Sequence, residues 1–323
     1  MAKVLLTTTS YQEIPGPHHN MLADAGLEIV KASGPLTEAQ MLDLVGDFNA
    51  FLCGDDALTR QVLEKSLPRL KVISKYGIGI DKIDVAAATE FGIPLSNCPG
   101  VNHTTVAEHA LALILAVVRN IVVEANYVAA GKWKRLTGHE TRDKTIAMIG
   151  MGRIGQATAE RAKAFGMKLI GFGNHWPEEF ANKIGVQRVT VEEAFERADI
   201  ISLHCNLNDK TRNLVDANAL NMMKDGVVIV NTARGGVINT ADMVAALKSG
   251  KVAGYATDVL DEEPPPENHP LIGAPNCIIT PHVGSRTYES VERQAVMATQ
   301  NLLNMLQGEK PLAQDNNVPI PKP

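Results

Sequence analysis

A glycine-rich turn between a predicted strand and a predicted helix is the feature that most constrains this sequence. The apolar run 145–149 leads directly into G-x-G-x-x-G, formed by Gly150, Gly152 and Gly155, and a helical pattern follows. The first glycine permits a tight turn, the second lets a pyrophosphate approach the backbone, and the third lets the helix pack on the strand. An ordinary turn is the alternative, but 166–172 predicts the next strand of a βαβ unit. The sequence therefore predicts a dinucleotide site.

Length and composition predict a globular protein of two domains. The 323 residues exceed the usual size of one compact core. A net charge of -5 and an aromatic content of 4% give no attraction to nucleic acid or anionic membranes and no base-stacking surface. The most apolar segment, 110–118, is too short to span a bilayer, and the N-terminal apolar run is too short for a signal peptide. We expect a cytoplasmic protein with no nucleic-acid or membrane partner.

The cysteines give no sign of a metal or redox site. They are widely separated and have no C-x-x-C spacing: Cys53, Cys98, Cys205 and Cys277. We expect reduced, mostly buried thiols and no bound metal.

Short β-branched runs alternate with helical patterns along the chain, which predicts parallel α/β sheets. Before the breaker cluster at 97–100, the predicted strands are 4–7, 50–53, 71–74 and 93–96. After it, a long buried helix is predicted over 104–120 and a final helix over 287–307. Between them six strands suit a doubly wound nucleotide domain: 146–149, 168–172, 200–204, 227–231, 253–259 and 277–280.

Polar segments follow three of these strands, at the edge where open α/β sheets bind ligands. They are 231–236, 258–264 and 280–284. Together with the glycine turn and with Val-Ala-Glu-His at 106–109, they closely resemble the D-isomer-specific 2-hydroxyacid dehydrogenase family over essentially the whole chain. The resemblance implies hydride transfer between NAD or NADP and C2 of a D-2-hydroxy acid or 2-keto acid.

The resemblance also implies an architecture. Two doubly wound parallel-sheet α/β domains are expected, with an NAD(P)-binding Rossmann domain over 100–286. This domain would be inserted in a flavodoxin-like substrate-binding domain formed by 1–99 and 287–323. A homodimer is expected from the resemblance and because the long apolar helix 104–120 needs cover.

Oxidising a 2-hydroxy acid requires a base for the hydroxyl proton and a cation for the carboxylate and carbonyl. The resemblance implies that His282 is the base, that Glu263 orients it, and that Arg234 binds substrate through its planar fork. Taken alone, Arg234 before two glycines could be an ordinary turn residue. Only the family register separates Glu263 from Glu262.

Cofactor contacts are likewise implied by the resemblance. Arg153 and Ile154 would contact pyrophosphate, and Asp258 would bond the nicotinamide carboxamide. The full predicted cofactor set is Gly150, Gly152, Arg153, Ile154, Gly155, Gly173, Asn174, Cys205, Thr232, Ala233, Asp258 and Gly284.

A loop in the first domain resembles the one whose backbone amides receive the substrate carboxylate. The predicted substrate-binding residues are Lys75, Tyr76, Gly77 and Ile78, with Arg234 and His282. A plain strand-to-helix turn is the alternative. The Lys75 cation would suit a phosphorylated substrate such as 3-phosphoglycerate, whereas the acids Asp55 and Asp56 oppose it. Glyoxylate and hydroxypyruvate are equally consistent with the sequence.

The cofactor form is left open by one departure from the family pattern. NAD-specific members usually have an aspartate about 20 residues past the fingerprint, to bond the ribose 2′-hydroxyl. Gly173 stands there, and Asn174, His175 and Trp176 supply neither a carboxylate nor an arginine. A different class of protein is also possible, an NAD(P)-sensing binding protein like the corepressors that resemble this family. The complete Arg, Glu and His set opposes it.

Overall fold

The computed structural model describes residues 1–322, and the chain forms two compact units. Unit 1 comprises residues 1–102 and the described residues from 286 onward, and unit 2 comprises His103–Ser285. The sequence placed these divisions after residue 99 and after residue 286. The nucleotide-binding pattern and the predicted catalytic residues therefore belong to unit 2, and the loop 75–78 belongs to unit 1.

Unit 1 is built on a parallel sheet with helices on its faces. Within residues 1–322 its five strands are ordered β2-β1-β3-β4-β5. The strands are β1 Lys3–Leu6, β2 Glu28–Lys31, β3 Ala50–Cys53, β4 Val72–Lys75 and β5 Leu95–Ser96. The helices are α1 Thr9–Glu13, α2 Pro17–Asp24, α3 Glu38–Leu44, α4 Arg60–Lys65, α5 Val85–Glu90 and the C-terminal α13 Tyr288–Leu306.

Unit 2 contains a larger parallel sheet. Within the described chain its seven strands are ordered β12-β11-β10-β9-β6-β7-β8. The strands are β6 Thr145–Ile149, β7 Lys168–Phe172, β8 Gln187–Arg188, β9 Ile200–Leu203, β10 Val227–Asn231, β11 Val252–Thr257 and β12 Cys277–Ile279. The helices are α6 His103–Val118, α7 Ile121–Ala129, α8 Arg153–Ala164, α9 Glu178–Ile184, α10 Val191–Arg197, α11 Ala217–Met222 and α12 Thr240–Ser249. The strand order reverses between β6 and β9, which is where such a sheet binds its ligand.

The central strands read as continuous apolar runs because both faces of each sheet are covered. All residues of β3, β9 and β10 are buried. Parallel sheets with helices on both sides require this pattern. The predicted class of two parallel-sheet α/β domains is confirmed.

Two edge strands were not predicted, and both lack the apolar run of a central strand. Strand β2 has exposed ends and half-buried centre residues, and β8 consists of the exposed pair Gln187 and Arg188. Edge strands bury little, so hydrophobic patterning does not reveal them. The unpredicted β8 lies beside the predicted cofactor site, since it pairs with β7.

The predicted helix over 104–120 is shorter than expected. Helix α6 ends at Val118, and Asn120 adopts a left-handed conformation with φ 55° before α7 begins. No single helix within residues 1–322 is long and apolar enough to cross a membrane, and α6 and α7, which pass that test only as a pair, are bent by 66°. Helix α6 also needs less cover than expected, because Ala107, Ala110 and Ile114 are fully buried within unit 2.

Candidate active site

The glycine turn packs directly against two other backbone segments, the end of β9 and the first turn of α8. Gly150 has a φ of 109°, and a Cβ there would lie 2.6 Å from the carbonyl carbon of His204. A Cβ at Gly155 would lie 2.0 Å from the carbonyl oxygen of Gly150. Side chains at either position would therefore separate β6 and α8 from the end of β9. Both glycines are needed for this packing.

The same turn leaves space where a pyrophosphate would bind. Gly152 is the N-cap residue of α8, provides no side-chain cap, and has no atom within 4 Å of a Cβ built on it. The first-turn N–H groups of α8 are thus presented at an open helix N-terminus, which favours an anion. Exposed Arg153 and half-buried Ile154 form that turn. These residues fit the diphosphate of a dinucleotide.

The end of β7 offers no carboxylate for the ribose. A Cβ on half-buried Gly173 would lie 3.2 Å from the backbone nitrogen of Met151 in the glycine turn. Asn174 and His175 are exposed beyond it. No carboxylate therefore stands at the end of β7, where an NAD-specific protein is expected to have an aspartate.

The predicted groove residues lie near the ends of β9 and β10. Cys205 is half-buried, and burial raises its pKa to about 11, so its thiol is neutral. The Thr232 hydroxyl lies 3.5 Å from Nδ1 of His204. Ala233 is buried, and its N–H donates to Oδ1 of Asn231 over 3.0 Å.

Asp258 follows β11, and its buried carboxylate accepts several hydrogen bonds from the segment that contains His282. The donors are the Thr280 hydroxyl at 2.6 Å, the Val283 N–H at 2.9 Å and the Gly284 N–H at 2.7 Å. Nε2 of His109 lies 3.3 Å from Oδ1. Burial by itself raises the pKa of Asp258. The hydrogen bonds together lower it by more than burial raises it, so the pKa lies below its ordinary value.

This clamp fixes the backbone of the predicted base. The His282 N–H donates to the Asp258 carbonyl at 2.9 Å, and His282 has a left-handed φ of 52°. Gly284 packs tightly on the same carboxylate, since a Cβ there would lie 2.8 Å from Oδ2 of Asp258. The structure therefore gives Asp258 and Gly284 a positioning role beside the cofactor role that the sequence predicts for them.

The imidazole of His282 is oriented by Glu263. Nδ1 of His282 lies 2.7 Å from Oε2 of Glu263, and Oε1 accepts the Leu260 N–H at 2.8 Å. Glu262, the alternative that the sequence left open, is exposed on the same loop. A carboxylate held at Nδ1 fixes the orientation of the imidazole ring.

Arg234 follows β10 and is held by its own turn. Asn231 donates from its amide to the Arg234 carbonyl at 2.9 Å, and Arg234 donates to the Ala233 carbonyl at 2.8 Å. The next residue, Gly235, packs on the loop that contains Glu263, because a Cβ there would lie 1.9 Å from the carbonyl carbon of Leu260. One backbone contact thus links the arginine turn to the glutamate loop.

In unit 1, Lys75 holds the loop 75–78, which was predicted to bind the substrate carboxylate. Lys75 is 2% exposed, its ammonium donates to the Tyr76 carbonyl at 2.8 Å, and it lies 3.1 Å from Oδ1 of Asp55. Gly77 has a φ of 113°, and a Cβ there would lie 3.3 Å from the ammonium. Ile78 is exposed. Lys75 is thus buried and paired with Asp55.

Sequence reasoning missed several residues that hold this arrangement. His109, Thr280 and Asn231 lie inside motifs that the sequence identified, yet no role was given to them. His269 is buried, its Nε2 lies 2.8 Å from Asp261 Oδ1, and its Nδ1 accepts the Leu271 N–H, so it closes the glutamate loop. Short polar side chains directly after strands were the available signal, whereas the His269 contact spans eight residues of loop. No cluster of His, Cys, Asp and Glu suited to a metal occurs in the part of the chain that the structure describes.

Comparison with known proteins identifies the family. A family model described as D-isomer specific 2-hydroxyacid dehydrogenase, NAD binding domain, matches residues 111–284. D-3-phosphoglycerate dehydrogenase of Methanocaldococcus jannaschii is 39% identical over 96% of this chain, which spans 58% of that relative's length. Glyoxylate reductase of Thermofilum pendens is 38% identical over 93% of this chain and 91% of its own.

A solved structure agrees with this. The crystal structure of a glyoxylate reductase from Paecilomyes thermophila is 31% identical, with a TM-score of 0.84 over 97% of this chain and 98% of that one. Fold and comparisons together indicate the class of NAD(P)-binding oxidoreductases. The chain belongs to the D-isomer-specific 2-hydroxyacid dehydrogenase family.

Gly235→Ala tests the contact between the arginine turn and the glutamate loop. The new methyl group would overlap the backbone of Leu260 and Asp261. We expect the free energy of unfolding to fall by about 3 kcal/mol, with loss of turnover, as for a severely overpacked core. Urea unfolding followed by circular dichroism measures the change.

Gly236→Ala is the matched control. A Cβ there would meet only side-chain ends, Leu207 at 3.2 Å and Arg212 at 3.5 Å, which can move. Equal stability of the two variants would show that the Gly235 contact does not constrain the site.

His204 should make stability depend on pH. It lies beneath the glycine turn, its Nε2 is 2.8 Å from the Ser202 hydroxyl, and burial lowers its pKa from 6.5 to about 4. Below the ordinary histidine pKa, His204 is protonated in the unfolded chain but stays neutral in the folded chain. Stability therefore falls with decreasing pH across this window, by up to about 1.4 kcal/mol per pH unit.

His204→Gln should remove this dependence. Urea unfolding at several pH values between about 7 and about 4.5 should show the variant gaining relative to the parent as the pH falls. The exposed His139→Gln serves as control. A difference between parent and His204→Gln that is constant with pH would contradict the assignment.

Proposed function

We propose that this protein transfers hydride between NAD(P) and C2 of a small 2-hydroxy acid, with reduction of the 2-keto acid as the reverse direction. The observation that carries the proposal is the His282–Glu263 pair at 2.7 Å, located at the carboxyl edge of the unit 2 sheet. The glycine turn of the same unit fits a dinucleotide. A base, its orienting carboxylate and an arginine thus occur together with a hydride carrier's binding site.

Each residue has one task in this reaction. Bound at the glycine turn, the nicotinamide cofactor would supply the acceptor or donor of the hydride at C2. His282 takes the hydroxyl proton at Nε2 during oxidation and gives it back during reduction. Glu263 keeps the ring in place and stabilises its protonated form. Arg234 binds the carboxylate and stabilises the charge that develops on the C2 oxygen.

The loop 75–78 of unit 1 carries a separate set of proposed substrate contacts. We assign the backbone N–H groups around Gly77 and Ile78 to the substrate carboxylate, with Tyr76 fixing the loop. Lys75 supports this loop from beneath, because its ammonium holds the Tyr76 carbonyl.

For the substrate we favour an unphosphorylated 2-keto acid of the glyoxylate or hydroxypyruvate type over 3-phosphoglycerate. The charge of Lys75 is matched by Asp55 at 3.1 Å, so it is not available to neutralise a phosphate.

Turnover with separate NADH and NADPH tests the reaction class. The substrates are glyoxylate, hydroxypyruvate, pyruvate and 3-phosphohydroxypyruvate, with reduced-nicotinamide absorbance as the readout. We expect glyoxylate or hydroxypyruvate to give the highest kcat/KM. His282→Ala should lower kcat by roughly 10²- to 10⁴-fold, the usual contribution of a general acid–base residue.

Two adjacent glutamates provide a matched pair for the orienting role. Glu263→Gln should lower kcat because the charge beside Nδ1 is lost, whereas Glu262→Gln should leave it unchanged. Equal effects would contradict the assignment of Glu263. Cofactor binding without turnover on any substrate would instead support a sensor, and a preference for the phosphorylated acid would overturn the substrate choice.

We also propose a homodimer in the cytoplasm. The cysteines of residues 1–322 are all free thiols, which suits a reducing compartment. Helix α7 has no buried residue, and large apolar side chains on it and just after it are 39–83% exposed: Ile121, Val122, Val128 and Trp133. Such a cluster marks an interface, and a two-fold axis would bury the same patch on both copies.

Sedimentation velocity at micromolar concentration tests the dimer. The parent protein should sediment as a dimer, and Val128→Glu should shift it to monomer because a charge would be buried. Leu312→Glu, at an apolar residue 63% exposed in unit 1, is the control and should not change the assembly. A monomeric parent would contradict the proposal.

A further inference from the structure

We propose that Arg188 binds the 2′-phosphate of NADP(H), so that this chain prefers NADP(H) to NAD(H). The inference rests on the proposed function only in requiring a dinucleotide at the glycine turn. It does not depend on which 2-keto acid is reduced. Arg188 lies on β8, the strand that the sequence pattern did not reveal.

The ribose 2′-oxygen of a dinucleotide lies at the end of the second strand of such a unit. In this chain that strand is β7, and Gly173 follows it. Residues 173–177 contain no acid, and Glu178 and Glu179 point into solvent from the start of α9. No carboxylate therefore occupies the position from which it would bond a 2′-hydroxyl and repel a 2′-phosphate.

Strand register places Arg188 on the same face of the sheet as Gly173. Arg188 pairs with Gly171, and residues two apart on a strand share a face. Cβ atoms built on Gly171 and Gly173 would both contact Met151 of the glycine turn, at 3.0 Å from its sulfur and 3.2 Å from its backbone nitrogen. Val186, two residues before Arg188, also contacts this face. The arginine thus extends from the carboxyl end of β8 on the side of the glycine turn.

Trp176 holds the guanidinium in place. The Arg188 Cζ lies 5.5 Å from the centroid of the Trp176 ring, within cation–π range. The indole is half-buried and packs against the apolar core of unit 2, so the platform is fixed. A stacked guanidinium loses less freedom on binding, and its planar fork matches two phosphate oxygens.

The charge of Arg188 is not already committed. Arg188 is exposed, and within residues 1–322 it forms no ion pair. Arg197 differs, because it donates to Gln187, on the same strand as Arg188, at 2.7 Å. An arginine that stacks on an aromatic ring and forms no ion pair is suited to binding a phosphate dianion through its N–H groups.

Fluorescence of Trp176 gives a binding readout that is independent of turnover. The chain has two tryptophans, so Trp133→Phe leaves Trp176 as the single emitter beneath Arg188. In this background we would titrate NADPH, NADH, 2′,5′-ADP and 5′-AMP. NADPH should bind more tightly than NADH, and 2′,5′-ADP more tightly than 5′-AMP.

Arg188→Met should weaken NADPH and 2′,5′-ADP by roughly tenfold to a hundredfold, the value of losing hydrogen bonds to a charged group. NADH and 5′-AMP should bind as before. Arg197→Met, a second exposed arginine nearby, is the matched control and should change none of the four constants.

The remaining outcomes overturn the inference in distinguishable ways. If Arg188→Met leaves NADPH binding unchanged, or weakens NADH equally, Arg188 is only a surface cover for Trp176. If NADH then still supports turnover of a 2-keto acid, the proposed function stands without this inference. Failure of both dinucleotides to bind would remove the inference and the proposed function together.

Discussion

Four donors converge on the buried carboxylate of Asp258, and the geometry of the proposed catalytic residues depends on that convergence. The hydroxyl of Thr280 and the N–H groups of Val283 and Gly284 hold the segment that contains His282. A buried carboxylate is costly unless such donors satisfy it, so the segment and the carboxylate stabilise each other. His282 takes a left-handed conformation because its neighbours are fixed on both sides. The backbone of the proposed base is thus fixed by contacts separate from the contact of its ring with Glu263.

Close contacts between backbone segments fix the positions of other elements of unit 2 in the same way. Gly235 places the arginine turn directly on Leu260, whose N–H in turn bonds Glu263. Gly150 and Gly155 place the cofactor helix on its strand and on the end of β9. At each point any side chain would separate two functional segments. Glycines at close backbone contacts therefore fix the cofactor turn, the arginine turn and the glutamate loop. The charged side chains extend from this scaffold.

Charge pairing distinguishes the proposed anion sites. In unit 1 the buried ammonium of Lys75 is matched by Asp55, which suits support of a loop and opposes a phosphate. In unit 2 the guanidinium of Arg188 stacks on an indole and has no carboxylate beside it within residues 1–322. A cation that is already neutralised gains little from a new anion, whereas an ordered and unneutralised one gains more. The two cations thus have opposite roles despite their equal formal charge.

The sequence by itself determined the α/β class, the central strands and the segments that follow them, because buried parallel strands require apolar runs and phosphate turns require glycines. It also identified Arg234, Glu263 and His282 as candidates from their motifs. It did not reveal β2 and β8, which are edge strands without an apolar signal. Only tertiary structure decided that Glu263 rather than Glu262 faces His282, that Asp55 pairs with Lys75, and that Arg188 pairs with Gly171. Each of these depends on distances between segments remote in sequence, and periodicity and spacing contain no information about them.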